Sequence, residues 1–199
     1  MTKGNLTSAV YETGLKYKEL NNKPEIQILI EVEEENMVLF FDKEVITMIL
    51  DNLISNALKY TEKGYIRIRA EWVTENGIRY AQLSVEDTGY GIGQDALAHI
   101  FERYYQESGE HQASGTGIGL ALVKNLVKLH EGDIQVKSLP EIGTTFYLRL
   151  PAGNTYPQAL HGEDIHTDKQ DGKEEEPIEK QEVADKDKNA RPIILVVED

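Results

Sequence analysis

The chain has 199 residues, no cysteine, 40% apolar residues and a formal charge of −14. It can therefore form neither a disulfide nor a thiolate metal site, and without a basic face it does not fit a generic nucleic-acid binder. No run of about 18 apolar residues predicts a membrane helix, and the N-terminus lacks a signal-peptide pattern. We expect one domain of ordinary size with tails, in a reducing compartment such as the cytoplasm and without membrane contact.

Strands, a helix and a hairpin are predicted in the first half of the chain. Asp42 is a typical N-cap for the helix, whose apolar residues recur every three to four positions. Asn76-Gly77 is typical of a tight hairpin turn. The predicted elements are, in order, a strand at Ile26–Val32, a strand at 37–41, the helix Lys43–Tyr60, and the hairpin strands 65–72 and 80–86.

The second half of the chain predicts two more helices and a second hairpin. These elements are a short helix at 95–101, a helix at 117–129, and a hairpin of strands 133–138 and 144–150. Gly132 marks the stop of the longer helix. Between the two helices, residues 102–114 are polar and lack periodicity, which favours a mobile loop.

The composition changes after Pro151. Residues 161–190 hold eleven acidic and five basic side chains and almost no large apolar ones, so this stretch cannot bury enough surface to fold. The apolar run 192–197 then reads as a buried strand that has no partner in the sequence. We therefore predict a folded domain at 1–151, an acidic disordered linker at 152–190 and the first strand of a truncated second domain at 191–199.

Two glycine clusters carry the strongest functional signal: Asp-Thr-Gly-Tyr-Gly-Ile-Gly at 87–93 and Gly-Thr-Gly-Ile-Gly-Leu at 115–120. A carboxylate ahead of a glycine-rich loop can accept a hydrogen bond from an amino group, and an amide-rich turn leading into a helix can hold phosphate. The pair suggests a nucleotide with its base near Asp87 and its phosphates near the second cluster. The alternative for the first cluster is a flexible turn with a capping aspartate. The spacing fits neither a Rossmann fingerprint nor a Walker loop.

One face of the helix predicted at Lys43–Tyr60 is polar. The residues at i, i+4, i+7 and i+8 on this face are Asn52, Asn56, Lys59 and Tyr60. One interpretation is the solvated side of an amphipathic helix. The functional interpretation is a pair of amides that ligate Mg²⁺, a lysine that meets phosphate and an aromatic ring that packs against a base.

The order of these motifs resembles the ATP-binding catalytic domains of sensor histidine kinases, in the superfamily shared with gyrase, mismatch-repair ATPases and heat-shock chaperones. The resemblance covers roughly residues 4–151. It rests on the asparagine-rich helix, the Asp-x-Gly-x-Gly turn, Ile-Phe-Glu-Arg-Tyr-Tyr at 100–105, Gly-Thr-Gly-Ile-Gly-Leu at 115–120 and Gly-Thr-Thr-Phe at 143–146. It implies a two-layer α/β (α+β) sandwich, with a mixed sheet packed on helices, of the Bergerat ATP-binding type.

The resemblance implies ATP and Mg²⁺ as cofactors and a role for each site residue. Asn56 is similar to the Mg²⁺ ligand, with Asn52 as a helper beside it. Lys59 and Arg103 are similar to phosphate contacts, and Asp87 to the acceptor of the adenine amino group. The other implied ATP-binding residues are Tyr60 beside adenine, Gly89, Gly91 and Ile92 in the base pocket, Gly115, Thr116, Gly117, Gly119 and Leu120 in the lid hinge and phosphate cradle, and Thr145, which supports the base through water.

One position separates a kinase from a hydrolase in this superfamily. The hydrolysing relatives carry a glutamate one helical turn before the Mg²⁺ asparagine, and this chain has Asn52 there. An amide cannot serve as a general base. Asp51 is adjacent but is expected to face about 100° away on a helix. The sequence therefore favours a kinase over an ATPase.

None of the five histidines matches the phosphate-accepting histidine that such a kinase needs. His130-Glu131 is followed by Gly-Asp and not by the acceptor pattern, so we interpret His130 as a helix-end histidine favoured by the helix dipole. The others are expected on the short helix (His99), in the mobile loop (His111) and in the linker (His161, His166). Only Leu6–Leu20 precedes the first predicted strand, which is too short for a helical hairpin.

The resemblance therefore implies part of a hybrid sensor kinase that acts in a two-component phosphorelay. The implied partners are a histidine-bearing dimerisation domain of the same parent protein, which can be anchored in the inner membrane, and a receiver domain, whose first strand and acidic pair residues 194–199 resemble. We expect the polypeptide alone to be inactive without the acceptor segment. The alternatives are a nucleotide-sensing docking module without phosphotransfer and a serine kinase of the anti-sigma type.

Overall fold

Five strands and three longer helices build two layers in the computed structural model, which describes residues 1–106 and 116–158. Its elements are β1 (Thr2–Asn5), α1 (Leu6–Leu20), β2 (Ile26–Val32), β3 (Val38–Phe41), α2 (Lys43–Tyr60), β4 (Gly64–Glu75), β5 (Ile78–Asp87), α3 (Gln94–Leu97), α4 (Gly119–Leu129), β6 (Asp133–Leu139) and β7 (Gly143–Pro151). The main sheet has the order β2-β4-β5-β7-β6. Only its β2–β4 pair is parallel, and β1 and β3 form a separate antiparallel ribbon. The predicted two-layer sandwich with a mixed sheet is confirmed.

The core lies between one face of the sheet and the helices α1, α2 and α4. Alternate residues of the central strands point into it, and Ile66, Ile68 and Leu83 are at most 1% exposed. The helix α2 contributes its apolar stripe, which consists of Ile46, Ile49, Leu50, Leu53, Ile54 and Ala57. Each large aliphatic side chain buried in this way contributes about 1.5–3 kcal/mol. The stripe therefore fixes the rotation of α2 about its axis and the direction in which its polar face points.

The hairpin of β4 and β5 is longer than its sequence pattern predicts. Both turn residues have positive φ, 51° at Asn76 and 79° at Gly77, which is the type I′ geometry. This turn matches the twist of the flanking strands, so pairing continues up to Glu75 and Ile78. The tip of the hairpin thus adds ladder hydrogen bonds that alternation alone does not reveal.

Four elements differ from the sequence prediction. The sequence predicts neither the strand β1 nor the helix α1 at the N-terminus, although α1 is a single helix, as the shortness of Leu6–Leu20 indicates. The helix α4 begins at Gly119 and not at 117, because Gly117 has a φ of 67° and ends the preceding turn in a left-handed conformation. The helix α3 is only four residues long.

Several sequence predictions concern residues outside those that the structure describes. They are most of the loop 102–114 with His111, Gly115, the predicted linker from residue 159 onward with His161 and His166, and the strand-like run 192–197. The start of that linker is described and differs from the prediction, because Tyr156 is 4% exposed and its hydroxyl donates to the His130 carbonyl oxygen at 2.7 Å. Among the helices that are described, none combines the length and the apolar character that crossing a bilayer requires.

His130 ends α4, as predicted, but the helix dipole does not explain its presence. Its side chain is fully buried. Nε2 accepts a hydrogen bond from the Asp42 backbone N–H at 3.1 Å, so the ring proton resides on Nδ1 and is donated to the Leu126 carbonyl oxygen at 3.1 Å. Burial lowers the pKa of His130, and the neutral ring joins the end of α4 to the start of α2.

Replacing His130 with leucine should destabilise the domain. The Asp42 N–H would lose its acceptor, which costs about 1–3 kcal/mol in a buried place. Because the folded-state pKa lies below the ordinary 6.5, the unfolded chain takes up the proton first as the pH falls. The stability difference between wild type and His130→Leu should therefore be fully present above about pH 6.5 and shrink below it.

Urea unfolding of both proteins at pH 7.5 and pH 5 measures this difference. His99→Leu is the matched control, since that ring is 51% exposed. A His130→Leu variant as stable as wild type at pH 7.5 would contradict the structural role of the buried ring.

Candidate nucleotide-binding site

Most of the described residues that were predicted to bind a nucleotide meet at one end of the sandwich. The end of α2 touches the loop after β5, where the Tyr90 N–H donates to the Tyr60 carbonyl oxygen at 3.2 Å. The middle of α2 touches the start of α4, where a Cβ on Gly119 would lie 2.8 Å from Asn52 Oδ1. The described parts of the two glycine clusters therefore flank the polar face of α2.

Asp87 is the buried acceptor of this site. It ends β5 on the inner face of the sheet and is 7% exposed. Its Oδ1 accepts the Gly89 N–H at 2.9 Å, and the Thr144 N–H also donates to the carboxyl group. Burial raises the pKa of Asp87 to about 6, against the two backbone hydrogen bonds that lower it. A carboxylate has about four lone-pair positions, so acceptor capacity remains for a ligand.

The glycines after Asp87 are required by close packing. A Cβ on Gly89 would collide with the Tyr60 carbonyl oxygen, and a Cβ on Gly91 with the Leu139 carbonyl oxygen. Gly91 also has a φ of 69°. The loop is therefore packed between α2 and the β6–β7 turn, and Asp87 caps it by accepting the Gly89 N–H.

The polar face of α2 presents two amide oxygens on the same side. Asn52 donates its Nδ2–H to the Met48 carbonyl oxygen at 2.8 Å, which leaves Oδ1 facing the start of α4. Asn56 is half-buried, and its side chain makes no hydrogen bond with another described residue. Both oxygens suit Mg²⁺, which prefers oxygen ligands and completes its shell with phosphate and water. Among residues 1–106 and 116–158 there is no His, Asp and Glu cluster that suits a metal.

Lys59 and Tyr60 continue this face at the end of α2. The Lys59 Nζ lies 4.8 Å from the centre of the Tyr60 ring, and the ring is 38% exposed. The pair is therefore held at the rim of the site, one turn away from Asn56, where the ammonium group can reach an anion.

The start of α4 offers backbone donors that pair with no other described residue. Its N-cap, Ile118, has no side-chain hydrogen bond to the first turn, and the first intrahelical bond runs from Leu122 N to the Ile118 carbonyl oxygen. The amides of Gly119 and Leu120 therefore have no helical partner, a geometry that favours an anion. Thr116 is exposed immediately before this turn.

Arg103 is not joined to the polar face of α2. It is exposed and forms no ion pair with another residue that the structure describes. Its neighbour Tyr104 donates its backbone N–H to the Gly117 carbonyl oxygen at 2.9 Å. This bond places the chain at Tyr104 beside the second glycine cluster.

The structure places Thr144, and not Thr145, beside Asp87. Thr145 lies on the outer face of the sheet with Tyr147, whose ring stacks under Lys137, so the predicted role of Thr145 at the base is corrected. Thr144 is 7% exposed and pairs with Asp87 across the β5–β7 ladder. The alternation of β7 could have shown this, because Phe146 and Leu148 point inward and a period of two places residue 144 with them.

Asp51 is turned away from the site and is paired elsewhere. Its carboxylate accepts a hydrogen bond from Lys16 Nζ of α1 at 2.6 Å, and its carbonyl oxygen accepts one from the Tyr17 hydroxyl at 3.2 Å. The only carboxylate adjacent to Asn52 in the sequence is therefore engaged on the opposite side of α2. This agrees with the prediction from helical geometry.

Comparison with known proteins identifies related kinases. The family model described as histidine kinase-, DNA gyrase B- and HSP90-like ATPase matches residues 41–154. The autoinducer 2 sensor kinase/phosphatase LuxQ of Vibrio harveyi is 41% identical over 140 residues, which are 68% of this chain and 16% of LuxQ. The sensor histidine kinase WalK of Bacillus subtilis is 33% identical over 136 residues, which are 67% of this chain and 22% of WalK.

Solved structures share the fold. The nucleotide-free catalytic domain of the histidine kinase ThkA has a TM-score of 0.64 at 25% identity and covers 75% of this chain and 96% of that domain. Full-length ShkA, solved in complex with AMPPNP, has a TM-score of 0.63 at 26% identity over 75% of this chain and 31% of ShkA. The chain thus corresponds to one domain-sized part of much longer relatives.

The buried carboxyl group of Asp87 should make the unliganded protein less stable as the pH rises. The folded-state pKa of Asp87, about 6, lies above its ordinary 3.8, so the folded protein holds the proton longer. The stability that this shift supplies is present below pH 3.8 and is lost as the pH rises through 6. Relative to Asp87→Asn, wild type should lose about 2–3 kcal/mol between pH 4 and pH 7.

Denaturant unfolding of both proteins across this range tests the shift. The constant difference between them reflects the lost acceptor, whereas the slope reports the pKa alone. His130→Leu is an internal control, because its difference from wild type should change with pH in the opposite direction. Parallel pH curves for wild type and Asp87→Asn would contradict the raised pKa.

Proposed function

Because the chain belongs to the histidine kinase-, DNA gyrase B- and HSP90-like ATPase family, we propose that it binds Mg-ATP and donates the γ-phosphate to a histidine on a separate dimerisation segment of the same parent protein. The observation that carries this proposal is the polar face of α2, which lies between the buried acceptor Asp87, near the end of the helix, and the first amides of α4, beside Asn52. One end suits a base and the other suits phosphate.

At the base end, the Asp87 carboxylate accepts a hydrogen bond from the adenine amino group. Gly89 and Gly91 let the loop pack closely against α2 and the β6–β7 turn beside Asp87, and Ile92 would add an apolar side chain next to the base. The Tyr60 ring, at the end of α2, would pack beside the base. A hydrogen bond to a charged, buried acceptor contributes about 1.5–3 kcal/mol, so Asp87 is the main source of base affinity.

At the phosphate end, Asn56 and Asn52 would hold Mg²⁺ by their amide oxygens, and Lys59 and the first amides of α4 would hold phosphate oxygens. The ion, when bound, neutralises charge that develops on the transferring phosphoryl group. The residues of the chain position the nucleotide and supply partial charges, which is most of what phosphoryl transfer demands of a protein. Arg103 is proposed to reach the terminal phosphate from its exposed position.

Hydrolysis is disfavoured because, among residues 1–106 and 116–158, neither Asn52 nor its neighbour Asp51 is available as a general base. Asn52 is an amide whose nitrogen is bound to the Met48 carbonyl oxygen, and Asp51 is held by Lys16. A general base must lie within hydrogen-bond reach of the proton that it takes. This arrangement supports transfer to another protein group over transfer to water.

The described histidines support an acceptor outside this domain. Both ring nitrogens of His130 are engaged and its ring is buried, so neither can attack a phosphoryl group. His99 pairs with Glu102 at 2.8 Å on the surface. The parent is therefore proposed to be a cytoplasmic or membrane-anchored hybrid kinase, in which residues 1–151 are the catalytic domain, 152–190 a linker and 191–199 the start of a receiver domain.

Asp87→Asn should weaken the binding of ADP and ATP about tenfold or more, because the lost charged acceptor contributes about one to two decades of affinity. Isothermal titration calorimetry at pH 8 measures the loss. The control is Glu86→Gln, which removes the neighbouring carboxylate on the outer face, where it binds Tyr65 and Arg67. Equal ADP affinity in wild type and Asp87→Asn would refute the adenine assignment.

The polypeptide alone should form no phosphohistidine and turn over little ATP. Adding a histidine-bearing dimerisation segment as a separate polypeptide, with γ-labelled ATP, should label that segment only. Asn56→Ala should abolish labelling, while Asn36→Ala, a surface asparagine away from α2, should not. Label on His130 would contradict the assignment, and ATP binding without any transfer would favour the nucleotide-sensing docking module.

A further inference from the structure

One serine joins three separate segments at the base end of the site. Ser138 lies on the inner face of β6, and its Oγ is 2.8 Å from the backbone nitrogen of Ile92 in the glycine loop. The same oxygen is 2.9 Å from the Gly143 carbonyl oxygen and 2.8 Å from Thr144 Oγ1. No sequence motif singled out this residue, although it touches the loop and the strand that border Asp87.

The three partners determine the direction of each hydrogen bond. A hydroxyl group has one proton and two acceptor lone pairs. The Ile92 N–H can only donate to Ser138, and the Gly143 carbonyl can only accept from it, so the serine proton is used. The remaining lone pair of Ser138 can only accept. The third hydrogen bond is therefore donated by the hydroxyl of Thr144.

These hydrogen-bond directions make both polar side chains at the base end, Thr144 and Asp87, hydrogen-bond acceptors. The Thr144 proton points towards Ser138, so Thr144 Oγ1 offers only lone pairs to its other neighbours. Thr144 pairs directly with Asp87 across the ladder, and the Asp87 carboxylate is itself an acceptor. Two acceptors side by side attract an amino group and repel a carbonyl oxygen.

We propose that Ser138 is a positioning residue that makes the site select purine bases with an amino group at position 6 over those with a carbonyl group there. It acts by holding the Thr144 hydroxyl as an acceptor, and it does not touch the base. This inference rests on the proposed function, since it concerns how that same site recognises its nucleotide.

The matched probes are ADP and inosine diphosphate, which differ in the base only at position 6 and its neighbouring ring nitrogen. In Ser138→Ala, the Thr144 hydroxyl is free to rotate and donate to a carbonyl oxygen. Calorimetry gives the dissociation constant of inosine diphosphate divided by that of ADP. This ratio should fall about threefold to tenfold towards unity, the effect of about one neutral hydrogen bond. A purely structural serine would weaken both nucleotides by the same factor and leave the ratio unchanged.

Three further variants complete the test. Ser138→Thr keeps the hydroxyl and should keep the wild-type ratio, whereas Ser138→Cys keeps the size with a weak hydrogen-bonding group and should lower the ratio. The cysteine variant decides the question if the alanine variant does not fold. In a Thr144→Val background, Ser138→Ala should leave the ratio unaltered, because no hydroxyl remains to be ordered.

The outcomes separate this inference from the proposed function. Wild type that binds ADP, with the same ratio in Ser138→Ala or Ser138→Cys, overturns the role of Ser138 alone. Wild type that binds neither ADP nor ATP overturns the proposed function itself. A lower ratio that persists in the Thr144→Val background also overturns the inference, because the effect would then not pass through Thr144.

Discussion

The rotation of α2 about its own axis is the constraint on which the site depends. Six buried residues hold one side of this helix against the sheet and its neighbouring helices, so the polar residues emerge in one direction. Asn52 and Asn56 then face the start of α4, and Asp51 faces Lys16 of α1. The burial of this stripe contributes many kcal/mol, far more than any single polar contact in the site. The chemistry is thus oriented by the core.

The ends of the same helix are held by polar groups that belong to other parts of the fold. The side chain of Asp42 caps the first turn of α2, while the buried ring of His130 accepts the Asp42 N–H. At the other end, the Lys23 ammonium group donates to the carbonyl oxygens of Leu58 and Thr61. These contacts leave Lys59 and Tyr60 on an anchored last turn next to the glycine loop after β5, so this part of the site is held in place without a ligand.

At the base end, the burial of Asp87 has opposite effects on the stability of the unliganded domain and on ligand binding. Burying Asp87 favours its protonated form and costs the unliganded domain free energy at neutral pH. The same burial makes the carboxylate a strong acceptor for a ligand that donates to it, because few waters compete. Ser138 and Thr144 extend this logic to a neutral pair, in which the fixed direction of a hydroxyl proton decides what the pocket accepts. Recognition at the base end therefore depends on which hydrogen-bond acceptors remain available to a ligand.

Much of the fold and of the site was determined by the sequence alone. The period of the apolar residues located α2, β2 and the two hairpins, and the order of the glycine clusters and asparagines predicted a nucleotide between them. These signals are local, because capping, turn geometry and side-chain period act over a few residues. The acidic chain without cysteine also excluded whole classes of function.

The tertiary structure decided the features that depend on contacts between distant segments. Thr144 replaces Thr145 because the ladder pairing of β5 with β7 sets which threonine shares a face with Asp87. Ser138 matters only because β6, the glycine loop and the β6–β7 turn meet there, and His130 is neutral because α4 ends in the core. Burial and hydrogen-bond direction arise when the chain closes on itself, so no local pattern can contain them.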